Sequence, residues 1–267
     1  MLRFVDFDGD PSPLRAIGPH TLEALLRVLG TRLSRDSLQH AVAHLRSFLR
    51  FLASRGLVRP GLDQQIDTPR VYRGERLPRA LPWESVRTLL ASIDRSTGMG
   101  KRDYAMLLLV ATYGLRTSEV AALRLDDIEW REERLLVRRP KISAPLMLPL
   151  RTEVAAALLD YLRNARPDLP HRQVFLRVRG PSGPLRPTAV TDVFQGAARR
   201  GGLDLPYQGP HCLRHSLAVH LLRQGASLFS IRELLGHRST ESTCVYLRLH
   251  VEDLRDVALP LPAQVQG

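Results

Sequence analysis

At 267 residues, with a formal net charge of +12 and a pI of about 10.8, the chain can bury a real core, as one large domain or as a small and a larger one. A charge excess of this size serves either solubility or a polyanionic partner. Two cysteines, Cys212 and Cys244, exclude a disulfide framework. The opening residues (Phe4, Asp6, Asp8, Asp10) hold neither an apolar signal stretch nor a transmembrane run, so a soluble cytoplasmic protein with no membrane partner is expected.

The first nineteen residues carry Gly9, Pro11, Pro13, Gly18 and Pro19 and read as an irregular lead-in. From Thr21, Leu22, Leu25, Leu26 and Leu29 fall on one helical face, and Gly30 is the expected stop. A longer helix opens near Ser34 or Asp36 and carries Leu38, Val42, Leu45, Leu49 and Leu52 before Gly56. Its other side bears Arg35, Arg46, Arg50 and Arg55, which are either a solvated face or one turned to DNA.

Residues 57 to 82, with Pro60, Pro69, Pro78 and Pro82 among Arg59, Arg70, Arg73, Arg76 and Arg79, read as a basic interdomain linker. The boundary is placed near Arg76, giving domains 1–75 and 76–267. Beyond it helices are predicted at 83–94, 101–112 and 117–123, then two short strands, Arg134 to Arg139 and Leu146 to Leu150, around a turn at Pro140 to Pro145. Further helices are predicted at 152–163, 188–200, 211–223 and 228–235. The fold class is therefore mainly α with a small β-sheet.

Arg116 lies in Tyr-Gly-Leu-Arg-Thr-Ser-Glu, where Gly114 ends one helix and the next begins at Thr117. Its guanidinium sits near fresh helix N–H groups, a good anion site. Glu119 three residues on can hold it in place, or the two can form a plain surface salt bridge. His211 and Arg214 share one helix face at i, i+3, so both can reach one phosphate, while Leu213, Leu217 and Leu221 bury the opposite side. A helix from Ser227 ends at Gly236 and delivers His237 at a fixed exit point, and Tyr246 follows nine residues later on a short helical stretch. A lone tyrosine there is more often a packing residue, since an amphipathic ring suits a half-buried helix. Of the 39 basic side chains all but Lys101 and Lys141 are arginine, which marks Lys141 in the strand turn as a place for a titratable ammonium.

Together Arg116, Lys141, His211, Arg214, His237 and Tyr246 suit attack of a phenol on a DNA phosphodiester. Two guanidiniums fork onto the non-bridging oxygens, imidazoles and an ammonium move protons, and the phenol holds the cleaved phosphate. A phosphorane-like transition state gains charge that preorganised arginines stabilise more than the ground state. Because the phosphotyrosyl bond conserves the phosphodiester's energy, neither metal nor nucleotide cofactor is needed. The segment Gly98-Met-Gly100-Lys101-Arg102 is not a P-loop, since it lacks the first glycine and has Arg where Ser or Thr should bind magnesium.

The constellation resembles the tyrosine recombinase family of phage integrases and Xer-type resolvases, whose motif runs Arg, Lys, His-x-x-Arg, His, Tyr in this order. The match covers roughly residues 76 to 250 through Gly-Leu-Arg-Thr-Ser-Glu, His-Cys-Leu-Arg-His, Leu-Leu-Gly-His and the final tyrosine. The resemblance implies a small helical core-DNA-binding domain and an α+β catalytic domain closing around a duplex core site, with four protomers synapsing two sites, alone or with a second recombinase. It implies that Arg116 and Arg214 clamp the scissile phosphate, that Tyr246 attacks to leave a 3′-phosphotyrosine, and that His211 and His237 assist. Lys141 would match the hairpin lysine that protonates the leaving 5′-oxygen, although Arg-Pro-Lys-Ile stands where the family commonly has Gly-Lys-Gly. Against the family, the N-terminal part is expected to be short by about one helix. The enzyme would work at the nucleoid.

Two other readings stand beside this one. His211, Cys212, His215, His237 and Cys244 are a possible zinc set, but Cys212 takes the place of a catalytic glutamate, leaving at best a structural metal. The remaining alternative is a DNA-binding protein without catalysis, or a type IB topoisomerase-like strand relaxer with the same chemistry.

Overall fold

The computed structural model describes residues 8–67, 78–139, 145–178, 180, 183–207, 209–236 and 243–247. They are mainly helical with one small antiparallel sheet, the expected fold class. The chain forms two compact units, Met1–Arg76 and Leu77–Gly267.

In the first unit a short helix α1 (Ser12–Arg15) occurs inside the stretch expected to be irregular. Pro13 accounts for it, because its fixed φ suits a first helical turn and its missing N–H is no loss there. Helix α2 (Pro19–Arg32) runs through Gly30 instead of stopping at it. Gly30 keeps a negative φ, and the helix ends two residues later because Leu33 turns extended and leads straight into the Ser34 cap of α3 (Arg35–Ser54). The Ser34 hydroxyl accepts from the Ser37 N–H at 3.4 Å.

The apolar stripe Val42, Leu45, Leu49 and Leu52 of α3 packs on Leu22 and Leu25 of α2. The same cluster takes up Val58, Leu62 and Ile66, so the reading of 57–82 as linker is corrected for its first part, which is core. Arg46 Nη2 caps the Ile66 carbonyl, and Arg50 lies 3.8 Å from Asp63. Two of the four arginines thus fasten this returning segment, and Arg55 lies over the Phe51 ring.

In the second unit α4 (Trp83–Ala91) leads to α5 (Gly98–Tyr113), which is apolar on nearly every side from Ala105 to Ala111 and therefore sits inside the core. It starts earlier than the sequence periodicity suggests, since Thr97 caps the Gly100 N–H at 3.0 Å. A Cβ on Gly100 would run into the Asp94 carbonyl, so the glycine is what lets the chain enter here. Gly114 in the left-handed conformation (φ 64°) stops the helix, as its position predicts.

Helix α6 (Thr117–Ala122) follows, then β1 (Ile128–Glu129), β2 (Arg134–Val137) and β3 (Leu146–Pro149) in sheet order β1-β2-β3, with Leu135 facing Leu148 and Val137 facing Leu146. The two-residue β1 escaped the pattern because it is too short to show alternation. The Tyr113 hydroxyl donates to the Pro149 carbonyl at 2.7 Å and accepts from Arg151 N–H at 2.9 Å, which ties the end of α5 to the sheet. Helices α7 (Thr152–Asn164), α8 (Pro187–Arg200) and α9 (His211–Arg223) pack around α5, and α10 (Leu228–Leu235) packs on α9. Among the described residues no helix is long and apolar enough to cross a membrane.

Candidate active site

The site is built where α5, α9 and α10 end or begin. Helix α10 opens on Ser227, whose hydroxyl accepts from Ser230 N–H at 3.0 Å, and closes on Gly236 in the left-handed region (φ 59°). A helix leaves its last carbonyls without intrahelical donors, and these carry the negative end of the macrodipole. Here three successive carbonyls each accept from a different arginine. Arg139 Nη2 donates to Leu234 at 2.8 Å, Arg214 Nη2 to Leu235, and Arg116 Nη2 to Gly236 at 3.1 Å.

Arg214 is 2% exposed and its other terminal nitrogen donates to the carbonyl of Gly114, the residue that ends α5. Burial, and then the like charge of Arg116, pull its pKa down to about 10, so it stays a cation at neutral pH. A guanidinium has five N–H donors, so a fork fixed by two carbonyls still has donors for an anion.

Arg116 is the residue before α6. Glu119, whose side chain is 4% exposed, accepts from the Arg116 backbone N–H at 2.8 Å and from Nη1 at 2.7 Å. One carboxylate therefore caps the helix and aims the guanidinium, and the plain surface pair left open by the sequence is not what forms. Arg139 Nε lies 3.4 Å from the same carboxylate. Burial lowers the Arg139 pKa, and Glu119 offsets that.

His211 begins α9 and is exposed, while Leu213, Arg214 and Leu217 are buried, so α9 shows the solvent only a narrow strip. Partial desolvation, then Arg214 and Arg116, lower the His211 pKa and favour the neutral ring. His215, one turn on, meets the His211 ring edge-to-face with centroids 4.5 Å apart. Tyr246 lies on a helical stretch at residues 243–247 and is 1% exposed. Its hydroxyl is 2.9 Å from His215 Nδ1. Burial pushes the phenol pKa up to about 12, against the opposing field of Arg214.

The structure thus brings Arg116, Glu119, His211, Arg214 and Tyr246 together. Lys141 and His237 lie outside the described residues; the chain enters the first of these segments from Arg139 and the second from Gly236. Two neighbours, His215 and Arg139, were not read as part of the strand-transfer constellation, His215 entering only the zinc reading. His215 was legible in principle, since it stands i+4 from His211 on one helix face, whereas nothing in Arg138-Arg139 distinguishes the buried arginine from the exposed one. Of the possible zinc set, His237 lies outside the described residues, Cys212 is buried and Cys244 is exposed. Among the described residues no three His, Cys, Asp or Glu side chains are grouped to hold a metal ion.

The model of the phage integrase family matches residues 79–253. Tyrosine recombinase XerD of Listeria monocytogenes is 34% identical over 227 residues, covering 84% of this chain and 75% of that protein. Two Sinorhizobium fredii proteins named integrase/recombinase, y4rA and y4rF, are 40% and 36% identical over 88% and 97% of this chain, which spans only 58% and 63% of their lengths. Among solved structures, XerH recombinase bound to a palindromic difH substrate superposes with a TM-score of 0.72 at 20% identity, over 91% of this chain and 72% of that one. A lambda integrase dimer on a core site gives 0.67 at 17% identity, over 99% and 89%. The extent of the family match, the relatives above 30% identity and the arginine-lined end of α10 agree: this chain belongs to the phage integrase family.

Proposed function

We propose that the chain is a site-specific DNA strand transferase that cuts and rejoins DNA through a 3′-phosphotyrosyl intermediate, with no metal or ATP. The observation that carries this is the meeting, at one end of α10, of two fixed guanidiniums with a histidine and a buried phenol. Arg116 and Arg214 hold the non-bridging oxygens and stabilise the charge that builds there in the transition state. Tyr246 attacks phosphorus, and His211 and His237 contact the phosphate and pass protons. Lys141 protonates the leaving 5′-oxygen.

The partner is a duplex core site, gripped by the catalytic unit and by the basic N-terminal unit. Four protomers synapse two sites at the nucleoid, alone or with a second recombinase. The net charge of +12 supports a polyanionic partner.

A nicked suicide duplex, from which the strand beyond the cut diffuses away, tests the reading. The wild type should become covalently joined to the 3′ end, and Tyr246→Phe should bind the duplex but form no adduct. Covalent trapping by Tyr246→Phe would assign the nucleophile to another residue. No adduct from the wild type on suicide duplexes drawn from the DNA flanking its gene would overturn the reading.

A further inference from the structure

We infer that His215 is the base that takes the phenolic proton of Tyr246 when the tyrosine attacks; this rests on the strand-transfer reading. The Tyr246 hydroxyl lies 2.9 Å from His215 Nδ1, with ring centroids 5.6 Å apart, a direct path for one proton. Arg116 and Arg214, the cations of the clamp, carry donors only and cannot accept it. His211 touches His215 and not the phenol: its ring stands edge-on at 4.5 Å. Tyr246 is 1% exposed, His215 half-buried and His211 exposed, so the three rings form a graded route from a dry phenol to solvent.

Need for a base follows from the phenol's surroundings. With its pKa pushed up to about 12, only roughly one phenol in 10⁵ is ionised at pH 7. Among the described residues His215 meets the titratable groups His211 from its own helix and Tyr246 from the 243–247 stretch. The step balances. The Tyr246 O–H bond breaks and its proton passes to Nδ1, the phenolic oxygen bonds phosphorus, and the P–O5′ bond breaks with the 5′-oxygen protonated from Lys141. In religation the 5′-hydroxyl returns its proton to the lysine, and the imidazolium returns its own to the phenolate.

Asparagine at 215 places an amide near the position of Nδ1 and can hold the phenol, but cannot take its proton. On the suicide duplex under single-turnover conditions, His215→Asn should bind DNA as the wild type does and form adduct about 10²-fold or more slowly. Its rate should keep climbing with pH where the wild type levels off. Replacing tyrosine by a ring-fluorinated tyrosine, whose phenol ionises more readily, should restore His215→Asn more than it accelerates the wild type. His215→Gln is the second variant should asparagine disturb the fold.

An asparagine variant as fast as the wild type would reduce the contact to positioning and overturn the inference. A faster one would make the contact a latch and overturn it too. If the wild type forms adduct and Tyr246→Phe does not, strand transfer stands whichever way His215 falls.

Discussion

Arg116 Nη2 donates to the carbonyl of Gly236 at 3.1 Å across 120 residues of sequence. Arg116, the residue before α6, is thereby fixed to the residue from which the chain leaves α10 toward His237. Leu235 and Leu234 do the same for Arg214 and Arg139, so the helix C-terminus is a template that sets the spacing of three cations before any phosphate arrives. Such preorganisation is what electrostatic catalysis requires.

Gly236→Ala should dismantle that template. The residue sits at φ 59°, which costs a non-glycine residue about 1–3 kcal/mol, and its Cβ would occupy the space of the Arg139 guanidinium. Gly202→Ala is the control, since Gly202 has φ 61° with nothing within 4 Å of the added carbon. Both should lose stability in thermal melts from the left-handed backbone, Gly236→Ala the more for its clash with Arg139, but only Gly236→Ala should slow adduct formation, by about 10-fold or more given the cost of misplacing a clamp. Equal cleavage by the two variants would mean that the template has no bearing on rate.

Much of this arrangement is legible in the sequence, and the parts that are not share a cause. Gly114 and Gly236 were readable as helix stops because each follows a periodic apolar run and takes the left-handed conformation. Gly30 has the same local signal and fails as a stop, because the decision lies with Leu33 and Ser34 beyond it. Arg116, His211, Arg214 and Tyr246 stand out as residue types with known chemistry at suggestive spacing. Arg139 and the carbonyls of Leu234 to Gly236 do not, since a backbone acceptor carries no residue signature and pairings across 21, 95 and 120 positions arise only from tertiary packing. The segment 58–66 was hidden by Arg59 and Pro60 and by the prolines and arginines that follow it, although its three apolar residues belong to the N-terminal core.

Two histidines contribute to the loss of stability between pH 8 and 5. The pKa of His211 is lowered by desolvation and then by Arg214 and Arg116, and that of His220, stacked on Trp83 with centroids 4.1 Å apart, by desolvation and then Arg223. In both cases the unfolded chain binds the proton more readily than the folded one. Stability therefore rises with pH through the imidazole range and falls on acidification below an unfolded pKa of about 6.5. Melting temperatures measured from pH 8 to 5 should fall, and His211→Gln and His220→Gln should each flatten the fall. A steeper fall in either variant would reverse the sign assigned here.

The excess of arginine predicts binding dominated by counterion release. If six or more phosphates are neutralised, the log-log slope of affinity against salt should be on the order of −5 or steeper. Arg46 and Arg50 have partners within the N-terminal unit, so Arg46→Gln should cost stability and leave the slope nearly unchanged. A shallow slope for the wild type would argue against a clamp around the duplex.

The last prediction separates charge stabilisation from proton donation. Arg214 is 2% exposed and spends donors on the carbonyls of Gly114 and Leu235. Arg214→Lys keeps a cation but lacks the fork, so one carbonyl is left short of its donor and the phosphate loses a bidentate partner. Adduct formation should drop about 10²–10³-fold, in line with loss of a preorganised oxyanion donor. Replacing the bridging 5′-oxygen by sulfur should not restore it, because a better leaving group does nothing for charge on the non-bridging oxygens. Lys141→Ala should behave oppositely, slow on ordinary DNA and recovered on the sulfur-bridged substrate, since a thiolate departs without the proton the lysine supplies. Lys141→Arg should stay slow on ordinary DNA, as a guanidinium releases its proton too reluctantly. Equal defects on both substrates for Lys141→Ala would transfer the acid's role to a histidine, and rescue of Arg214→Lys by sulfur would remove Arg214 from the clamp.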